Sequence, residues 1–381
     1  MLPTTEGKNK MKKLKVGILG ATGMVGQRFI TLLDNHPWFE VTCVVASPRS
    51  AGKTYEEAVE GRWVMHDDIP DNVKGLTVKK VEDDLDKITN EVDFVFSALD
   101  MDKDKIREIE EAYAAKDVPV VSNNSAHRWT GDVPMIIPEI NPEHVKLIDI
   151  QRKNRNWKKG LIAVKPNCSI QSYVPIIKAL EKYGPKRVIV TTLQAISGAG
   201  KTFESFPDIV DNVIPFIKNE EEKSEKEPMK ILGSIVDRKI ELANNPLISA
   251  TCIRVAVSDG HMVSVDMELS KDIDEKEFIS AIESFKNPIE ELDLPSSPNQ
   301  FIKYFNEEDR PQTKLDRDFG NGMGITVGRL RKGPVGQNSP THLPSARRWK
   351  FVSLSHNTIR GAAGGAILLA ELLKAKHYIG G

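Results

Sequence analysis

Cys168 is the residue of this chain whose surroundings best fit nucleophilic chemistry. It lies in KPNCSIQSYV, between an apolar strand pattern at 160–164 and a helical pattern of 3.6-residue periodicity. That position puts its sulfur at a helix N-terminus, where partial positive charge favours the reactive thiolate. Cys43 and Cys252 lie inside apolar strand patterns, which are typical of core residues. Three widely spaced cysteines exclude a disulfide framework and a CxxC metal site, so we expect no bound metal.

Cysteine chemistry needs a base, and His261 has the most suggestive setting among the histidines. It directly follows Ser258, Asp259 and Gly260, and an Asp-Gly pair is a strong signal for a two-residue hairpin turn. Such a hairpin places Ser258 opposite His261 and Arg254 on the same face of the sheet. A histidine and an arginine on one face fit a general base beside an anion clamp.

A glycine loop lies near the N-terminus. Gly20, Gly23 and Gly26 occur in GATGMVG, directly after a strand pattern at 14–20 and before a helical pattern at 25–33. Glycines in this context allow a tight turn and bring backbone amides close to a pyrophosphate at the helix N-terminus. The spacing is GxxGxxG rather than GxGxxG, so a glycine-rich turn without a ligand stays open as an alternative to a dinucleotide site.

The residues after the second strand pattern, at 39–46, indicate which dinucleotide binds. A chain that binds NAD would place an Asp or Glu there for the ribose hydroxyls. This chain instead has hydroxyl and basic side chains, and no carboxylate before Glu56. These side chains belong to Ser47, Arg49, Ser50 and Lys53. Arg and Lys pair with a 2′-phosphate, which a carboxylate would repel, so we predict NADP. The alternative is that they are solvated loop charges.

Strand and helix patterns alternate over the first ~150 residues, which predicts βαβ units in a Rossmann-like, doubly wound parallel sheet. Further strand patterns at 93–98 and 118–122 flank a charged helical pattern at 103–115. The fold class is therefore α/β in this part of the chain.

The second half has a different character. Longer alternating strand patterns at 188–193 and 262–269 predict an α+β domain whose largely antiparallel sheet has one covered face. A charge run at 220–230 precedes an apolar-periodic helix expected at 231–242. The Gly-, Pro- and Ser-rich segment 332–347 is expected to form a surface loop.

Composition limits the classes of function. The chain has 381 residues, with 53 Lys and Arg against 54 Asp and Glu, a net charge of −1. Without a basic excess we expect no nucleic-acid partner and no membrane-surface binding. No apolar run approaches the roughly 20 residues that span a bilayer, and no secretory signal is recognisable. The three cysteines, which cannot form a disulfide framework, predict a reducing, cytoplasmic setting.

Five sequence blocks resemble the aspartate-semialdehyde dehydrogenases, specifically the branch found in archaea and fungi. The resemblance runs over nearly the whole chain from Leu14 to the C-terminal helix. The blocks are GATGMVGQRF at 20–29, SNNSAHRWTGDVPMIIPEIN at 122–141, PNCS at 166–169, QAISGAGKT at 194–202 and HNTIRGAAGG at 356–365.

The resemblance implies an NADP-dependent phosphorylating aldehyde dehydrogenase that works physiologically as a reductase of L-aspartyl-4-phosphate, in the biosynthesis of lysine, threonine, methionine and isoleucine. Cys168 would attack the acyl phosphate, expel phosphate and form a thioester. Hydride from NADPH would convert the thioester to a thiohemiacetal, which collapses to L-aspartate 4-semialdehyde. His261 would act as general acid–base, and Gln194 would orient the acyl intermediate.

The resemblance also implies binding roles, residue by residue. Arg254 would hold the substrate carboxylate, Arg128 and Asn167 the phosphoryl group, Glu220 the substrate ammonium and Lys223 the phosphate. If the register slips by one, Glu221 or Glu222 would replace Glu220. The implied cofactor contacts are Gly20, Thr22, Gly23, Met24, Val25, Gly26, Ser47, Arg49, Ser50, Lys53, Ser97, Ala98, Asn123, Ser197, Gly198 and Asn357.

These implications lead to a predicted domain organisation. It comprises a flexible tail at 1–12, an NADP-binding domain at 13–165 and a catalytic and dimerisation domain at 166–356. A C-terminal helix at 357–381 is expected to return to the NADP-binding domain. The implied assembly is a homodimer or homotetramer formed through the sheet of the second domain.

Three alternatives remain at this level. Malonyl-CoA reductases share the scaffold but have no substrate ammonium to bind, and the charge run with Glu220 and Lys223 favours an amino-acid substrate. N-acetylglutamyl-phosphate reductases match the sequence blocks less well. A non-catalytic NADP-binding sensor would be a different class, and the presence of Cys168, Gln194, Arg254 and His261 together argues against it.

We predict that NADP is used more efficiently than NAD, because Ser47, Arg49 and Lys53 offer partners to a 2′-phosphate. The measurement is kcat/KM with each dinucleotide. Equal efficiency with both would contradict the assignment.

Overall fold

The computed structural model describes residues 12–333 and 347–381. The first part of the chain forms a six-stranded sheet made of β1 (Leu14–Leu19), β2 (Phe39–Ala46), β3 (Lys79–Lys80), β4 (Phe94–Ser97), β5 (Val120–Ser122) and β6 (Ile162–Val164). Every neighbouring pair is parallel, and the strand order is β3-β2-β1-β4-β5-β6. The order reverses between β1 and β4, which confirms the predicted doubly wound sheet.

Helices cover both faces of this sheet. They are α1 (Met24–Leu32), α2 (Tyr55–Val59), α3 (Asp71–Lys74), α4 (Leu85–Glu91), α5 (Lys103–Ala115) and α6 (Leu147–Arg155). Successive side chains of a strand point to opposite faces, so β1 contributes to two apolar clusters. Ile18 packs in the cluster that includes Phe29 of α1, and Leu19 packs in the cluster that includes Ile109 of α5.

The second sheet is mixed and mostly antiparallel, as predicted. Its strands are β7 (Pro185–Gln194), β8 (Val213–Ile214), β11 (Leu247–Val255), β12 (His261–Leu269), β13 (Ile302–Tyr304), β14 (Ile325–Lys332) and β15 (Arg348–Ser355), while β9 (Ser234–Val236) and β10 (Lys239–Glu241) form a separate pair. The order in the large sheet is β13-β14-β15-β12-β7-β11-β8. The pairs β13–β14 and β7–β11 are parallel.

The helices of this second part cover one face of the sheet. They are α7 (Val174–Ala179), α8 (Glu220–Ile231), α9 (Glu275–Glu283) and α10 (Thr313–Asp316). Ile176 of α7 and Phe278 of α9 pack in one apolar cluster with Val190 of β7. The alternate residues Ile189 and Thr191 stay partly exposed, as a sheet with one covered face requires.

The chain returns to the first sheet through α11 (Gly364–Ala375), which follows a π-helical turn at Ile359–Ala363. Ile367 and Leu372 pack in the same cluster as Ile18. Two buried polar contacts add to this packing: an ion pair in which Arg360 Nη1 donates to Glu139 Oε1 at 2.8 Å, and a hydrogen bond between His36 Nε2 and Glu371 Oε1 at 2.8 Å. These contacts support the predicted return of residues 357–381.

The hairpin predicted at Asp259–Gly260 is wrong. Strand β7 lies between β11 and β12, so these two strands do not pair with each other. The Asp-Gly signal is local, whereas the neighbours in a sheet are decided by non-local packing. The chain after β11 instead continues beside the end of β7, where the Ile196 N–H donates to the Val257 carbonyl oxygen at 2.9 Å. Gly260 still supplies a turn, with φ of +100°.

The helix predicted at 231–242 is also misplaced. The charge run itself forms α8, and the following residues form the short pair β9–β10. Asp237 and Arg238 have φ values of 45° and 66°, which suit the turn of a two-residue hairpin. The charge run is not simply a solvated face: Glu220, Glu227 and Lys230 are buried and have polar partners.

Two predicted segments lie largely outside the described residues. These are the tail at 1–12 and the loop at 332–347, so neither prediction is tested. Within 12–333 and 347–381, no helix combines the length and apolarity that crossing a membrane demands.

Candidate active site

A cleft of about 570 Å³ is lined by residues that follow β4, β5 and β6 of the first sheet and residues at the ends of β7 and β11 of the second. Ligand sites in open α/β sheets lie at the carboxyl ends of the strands, as here. The lining brings together residues that are far apart in sequence. Its predicted site residues are Val25, Asn123, Arg128, Asn167, Cys168, Gln194, Ser197, Gly198, Glu220, Lys223, Arg254 and Asn357.

Cys168 stands in the loop after β6, immediately before a 3₁₀ turn at Ser169–Ser172. The turn is stabilised by Asn167, whose Oδ1 accepts hydrogen bonds from the N–H and the hydroxyl of Ser169, both at 2.7 Å. The Cys168 side chain is partly exposed to the cleft, whereas Cys43 and Cys252 are buried. Of the three thiols, that of Cys168 is therefore the one a substrate in the cleft can reach.

The partner of Cys168 is His261, the first residue of β12. Its Nε2 lies 3.4 Å from the Cys168 sulfur. On the other side of the ring, Nδ1 accepts a hydrogen bond from the Ala195 backbone N–H at 3.2 Å. An amide N–H can only donate, so Nδ1 must carry a lone pair. The neutral ring therefore has its proton on Nε2, directed at the sulfur.

Burial dominates the ionisation of this pair. It raises the pKa of the Cys168 thiol to about 11, and Glu220 contributes in the same direction. It lowers the pKa of His261 to about 3, helped by the nearby Arg254. The helix N-terminus was expected to favour the thiolate, but a four-residue 3₁₀ turn is a weak dipole, and desolvation outweighs it. Without a substrate, both groups are neutral at pH 7.

Arg254 reaches the same point from β11. Its Nη1 donates to the Ala195 carbonyl oxygen at 2.6 Å, so the backbone of one residue, Ala195, contacts both Arg254 and His261. A Cβ at Gly198 would lie 3.0 Å from Arg254 Nη1 and 3.1 Å from His261 Nε2. The proximity predicted for Arg254 and His261 is thus present, although β7 rather than a hairpin produces it.

Of the three consecutive glutamates at the start of α8, Glu220 lines the cleft. Its Oε1 accepts from Asn167 Nδ2 at 2.8 Å and Gln194 Nε2 at 3.4 Å, and its Oε2 pairs with Lys223 Nζ at 3.1 Å. Burial raises the pKa of Glu220, but Lys223 and Asn167 lower it further, so the net shift is downward. The carboxylate is therefore charged.

The other two glutamates have partners elsewhere. Glu221 accepts the Cys252 N–H at 3.2 Å, and Glu222 forms an exposed ion pair with Lys226 at 2.7 Å. The geometry thus favours Glu220 over Glu221 and Glu222 as the ammonium-binding residue.

Arg128 lies after β5 and is buried beside the nucleophile loop. Its Nη1 pairs with Glu227 Oε1 at 2.9 Å, its Nε donates to the Lys165 carbonyl oxygen at 3.1 Å and its Nη2 donates to the Asn123 carbonyl oxygen at 3.1 Å. A guanidinium has five N–H donors. Two N–H groups of Arg128 therefore stay available for an anion in the cleft.

Sequence reasoning missed two charged residues beside Cys168. Glu227 stands seven residues after Glu220, on the same face of α8, and this helical spacing was the signal. Lys165 is a lysine in the otherwise uncharged segment IAVKPNC. Its Nζ donates to the Pro166 carbonyl oxygen at 3.1 Å, and burial lowers its pKa to about 7. Both residues add fixed or titratable charge next to the thiol.

The glycine loop forms the turn between β1 and α1. Gly20 has φ of +86°, and a Cβ there would lie 2.4 Å from the Ala98 carbonyl oxygen, so the turn requires glycine. Helix α1 begins at Met24 with Gly23 as its N-cap and no side-chain cap. Its first N–H groups therefore lack side-chain acceptors, which suits a pyrophosphate.

The remaining loop residues support this arrangement. Thr22 lies within the turn, and Val25 in the first turn of α1 lines the cleft. A Cβ at Gly26 would lie 2.2 Å from the Gly20 carbonyl oxygen, so glycine is required for the close crossing of helix and loop.

The predicted 2′-phosphate residues follow β2. Ser47, Arg49 and Lys53 are exposed, whereas Ser50 is buried and its hydroxyl accepts from Arg62 Nη2 at 3.4 Å. The three exposed side chains form a polar, cationic rim, but they do not line the cleft around Cys168.

The other predicted cofactor contacts lie at or just after the ends of strands in the two sheets. Ser97 ends β4, and its hydroxyl accepts from Asn124 Nδ2 at 2.9 Å. Asn357 Nδ2 donates to the Ser197 hydroxyl at 2.8 Å. Asn123 Nδ2 is buried without a hydrogen-bond partner and lines the cleft. A buried unpaired donor is costly, so this amide fits a site completed by a ligand.

Comparison with known proteins identifies the relatives of this chain. A family model described as the semialdehyde dehydrogenase NAD binding domain matches residues 15–148, and one described as the semialdehyde dehydrogenase dimerisation domain matches residues 174–360. An aspartate-semialdehyde dehydrogenase from Archaeoglobus fulgidus is 46% identical over 96% of this chain and 100% of that relative. The chain belongs to the aspartate-semialdehyde dehydrogenase family.

Two further comparisons refine this family membership. The crystal structure of the Candida albicans aspartate-semialdehyde dehydrogenase with NADP matches the present chain with a TM-score of 0.83 at 36% identity. The match covers 97% of this chain and 100% of the Candida chain. Archaeal and fungal relatives confirm the predicted branch. A malonyl-CoA reductase (NADP) from Metallosphaera sedula is 38% identical over 97% of this chain and 99% of that relative, which is lower than the identity to the Archaeoglobus enzyme.

The raised thiol pKa leads to a test on the ligand-free protein. Because burial raises the pKa of Cys168 to about 11, its alkylation by iodoacetamide should accelerate roughly tenfold per pH unit up to about pH 10. The rate is measured by mass spectrometry of the Cys168 peptide, with Cys168→Ser giving the background. A plateau reached near neutral pH would show a preformed thiolate and contradict this account.

Proposed function

We propose that this chain is an aspartate-semialdehyde dehydrogenase that reduces L-aspartyl-4-phosphate to L-aspartate 4-semialdehyde with NADPH. The observation that carries the proposal is the Cys168 sulfur 3.4 Å from His261 Nε2, in a cleft that also holds Glu220, Lys223 and Arg254. A nucleophile paired with a donor, flanked by both signs of charge, suits an acyl phosphate that also carries an ammonium and a carboxylate.

The charged side chains fix the orientation of the substrate. Arg254 binds the carboxylate as a planar fork, and Glu220 offers a carboxylate to the ammonium. Arg128 and Lys223 bind the phosphoryl group, with Asn167 beside them. Lys223 already pairs with Glu220 at 3.1 Å, so an incoming zwitterion with a phosphate exchanges one ion pair for two. The reacting carbonyl is thereby placed at Cys168.

His261 acts as a hydrogen-bond donor throughout the reductive direction. The Cys168 sulfur attacks the acyl carbon while its thiol proton passes to the departing phosphate, which leaves a thioester and hydrogen phosphate. When bound, the dinucleotide supplies hydride to the thioester carbon. The resulting oxyanion of the thiohemiacetal and the thiolate released by its collapse both accept the His261 Nε2–H. The released thiolate takes a proton from water, which restores the neutral thiol.

In this proposal His261 therefore only donates hydrogen bonds from Nε2, whereas the resemblance implies a general acid–base. To accept a proton at Nε2 in its neutral form, the ring would have to place its proton on Nδ1, which faces the Ala195 N–H at 3.2 Å. Two donors would then face each other, at a cost of about 1–3 kcal/mol for the unmade bond. Gln194 lies near Glu220 and completes the polar lining around the acyl group.

The second candidate, an acyl-CoA reductase of the malonyl-CoA type, is favoured by the 38% identity to such an enzyme. It leaves the buried Glu220 carboxylate without a cationic substrate group to bind. An assay of NADPH oxidation with aspartyl phosphate, malonyl-CoA and N-acetylglutamyl phosphate separates the activities. Turnover with aspartyl phosphate is expected to exceed that with the other two substrates.

The proposal extends to the cellular setting. The enzyme is cytoplasmic, acts in the biosynthesis of lysine, threonine, methionine and isoleucine, and forms a homodimer or homotetramer. The uncovered face of the second sheet, with Ile189 and Thr191 partly exposed, supports assembly through that surface. The match to a dimerisation domain supports it as well.

We predict that Cys168→Ala abolishes phosphate-dependent NADP reduction with L-aspartate 4-semialdehyde and leaves NADP binding intact. The variant removes the only atom of the site that forms a bond to the substrate, but Ala fits the same space. Turnover is followed by absorbance and NADP binding by calorimetry. Undiminished turnover would overturn the mechanism.

A further inference from the structure

Helix α8 holds the nucleophile loop through a stripe of three polar side chains, Glu220, Ser224 and Glu227. Residues at this spacing share one face of a helix. Glu220 accepts from the Asn167 side chain at 2.8 Å, the Ser224 hydroxyl lies 3.1 Å from that of Ser169, and Glu227 Oε2 accepts the Asn167 backbone N–H at 2.6 Å. The residue before Cys168 is thus held by its side chain and by its backbone.

The second oxygen of Glu227 reaches a different loop. Oε1 accepts from Arg128 Nη1 at 2.9 Å. Glu227 is 1% exposed and Arg128 is 7% exposed, so this pair is shielded from water. Each oxygen of one buried carboxylate therefore holds one part of the site: the cation expected to bind phosphate and the backbone next to the nucleophile.

We propose that Glu227 is a positioning residue that sets the distance between the anion-binding Arg128 and the Cys168 loop. The inference rests on the proposed function only in assigning an anion to Arg128. Glu227 itself does not line the cleft, so it acts through Arg128 and Asn167 and not on the substrate.

The chemistry of the contact explains why a carboxylate is needed. A charged carboxylate offers acceptors on both oxygens, whereas a glutamine has one acceptor and one donor group. In Glu227→Gln, the amide N–H₂ must face either Arg128 Nη1 or the Asn167 N–H, and both of these are donors. One of the two contacts is lost, and the corresponding loop shifts.

The same helix offers a matched control. Glu225 also accepts a backbone N–H, that of Ala250 at 3.0 Å, but Ala250 lies in β11 away from the nucleophile loop. Glu225→Gln therefore makes the same chemical change at a carboxylate that also accepts a backbone N–H. It leaves the contacts of Arg128 and Asn167 unchanged.

The test uses inorganic phosphate as the probe, on the full chain without dinucleotide. The concentration of phosphate that half-protects Cys168 from iodoacetamide is measured for the wild type, Glu227→Gln, Glu225→Gln and Arg128→Ala. Glu227→Gln is expected to raise that concentration about tenfold, the value of one charge-assisted contact, and Glu225→Gln to leave it unchanged. Thermal melting checks folding, and Glu227→Asp, which keeps the carboxylate, replaces Glu227→Gln if that variant does not fold.

Combining Glu227→Gln with Arg128→Ala distinguishes a positioning role of Glu227 from a general loss of protein stability. If Glu227 acts on phosphate partly through Arg128, Glu227→Gln costs less protection in an Arg128→Ala background than in the wild type. An additive loss, an equal effect of Glu225→Gln or no protection of the wild type by phosphate would each overturn the proposal. Failure of the proposed function shows separately, as absence of turnover with L-aspartate 4-semialdehyde in a wild type that phosphate still protects.

Discussion

The hydrogen bond from the Ala195 N–H to His261 Nδ1 is the interaction on which the chemistry of this fold depends. It fixes the tautomer of a fully buried imidazole and directs its Nε2–H at the Cys168 sulfur, 3.4 Å away. Burial keeps both groups neutral until a substrate arrives, with thiol and imidazole pKa values moved apart to about 11 and about 3. In the proposed mechanism, His261 is thus a hydrogen-bond donor aimed at the nucleophilic sulfur.

Elements of both sheets position these two side chains. Strand β7 delivers the Ala195 peptide, β12 delivers His261, and the loop after β6 delivers Cys168. Helix α8 holds Asn167 of the nucleophile loop through Glu220 and Glu227, and Glu227 also pairs with Arg128. Val25, from the motif of the glycine loop, and Cys168 line one cleft, which fits a nucleotide and a substrate bound side by side. The position of the His261 ring relative to Cys168 therefore depends on elements from both halves of the molecule.

Local patterns predicted much of this fold. The strand at 39–46 and the helix at 103–115 have the bounds that their periodicity indicated, and the glycine loop lies between a strand and a helix as expected. The predictions that were wrong concern contacts between residues distant in sequence. An Asp-Gly turn signal cannot reveal that β7 inserts between β11 and β12, and a charge run cannot reveal that Glu227 has a buried partner. The pKa of Cys168 was misjudged for the same reason, because desolvation depends on residues distant in sequence.

The most direct test is the ¹⁵N NMR spectrum of His261 in ligand-free protein labelled at histidine, assigned with His261→Asn. Because burial lowers the His261 pKa to about 3, the ring should stay neutral from about pH 5 to about pH 9, with its proton on Nε2. An imidazolium at neutral pH, or a neutral ring protonated on Nδ1, would contradict the account, because either would remove the acceptor that the Ala195 amide requires.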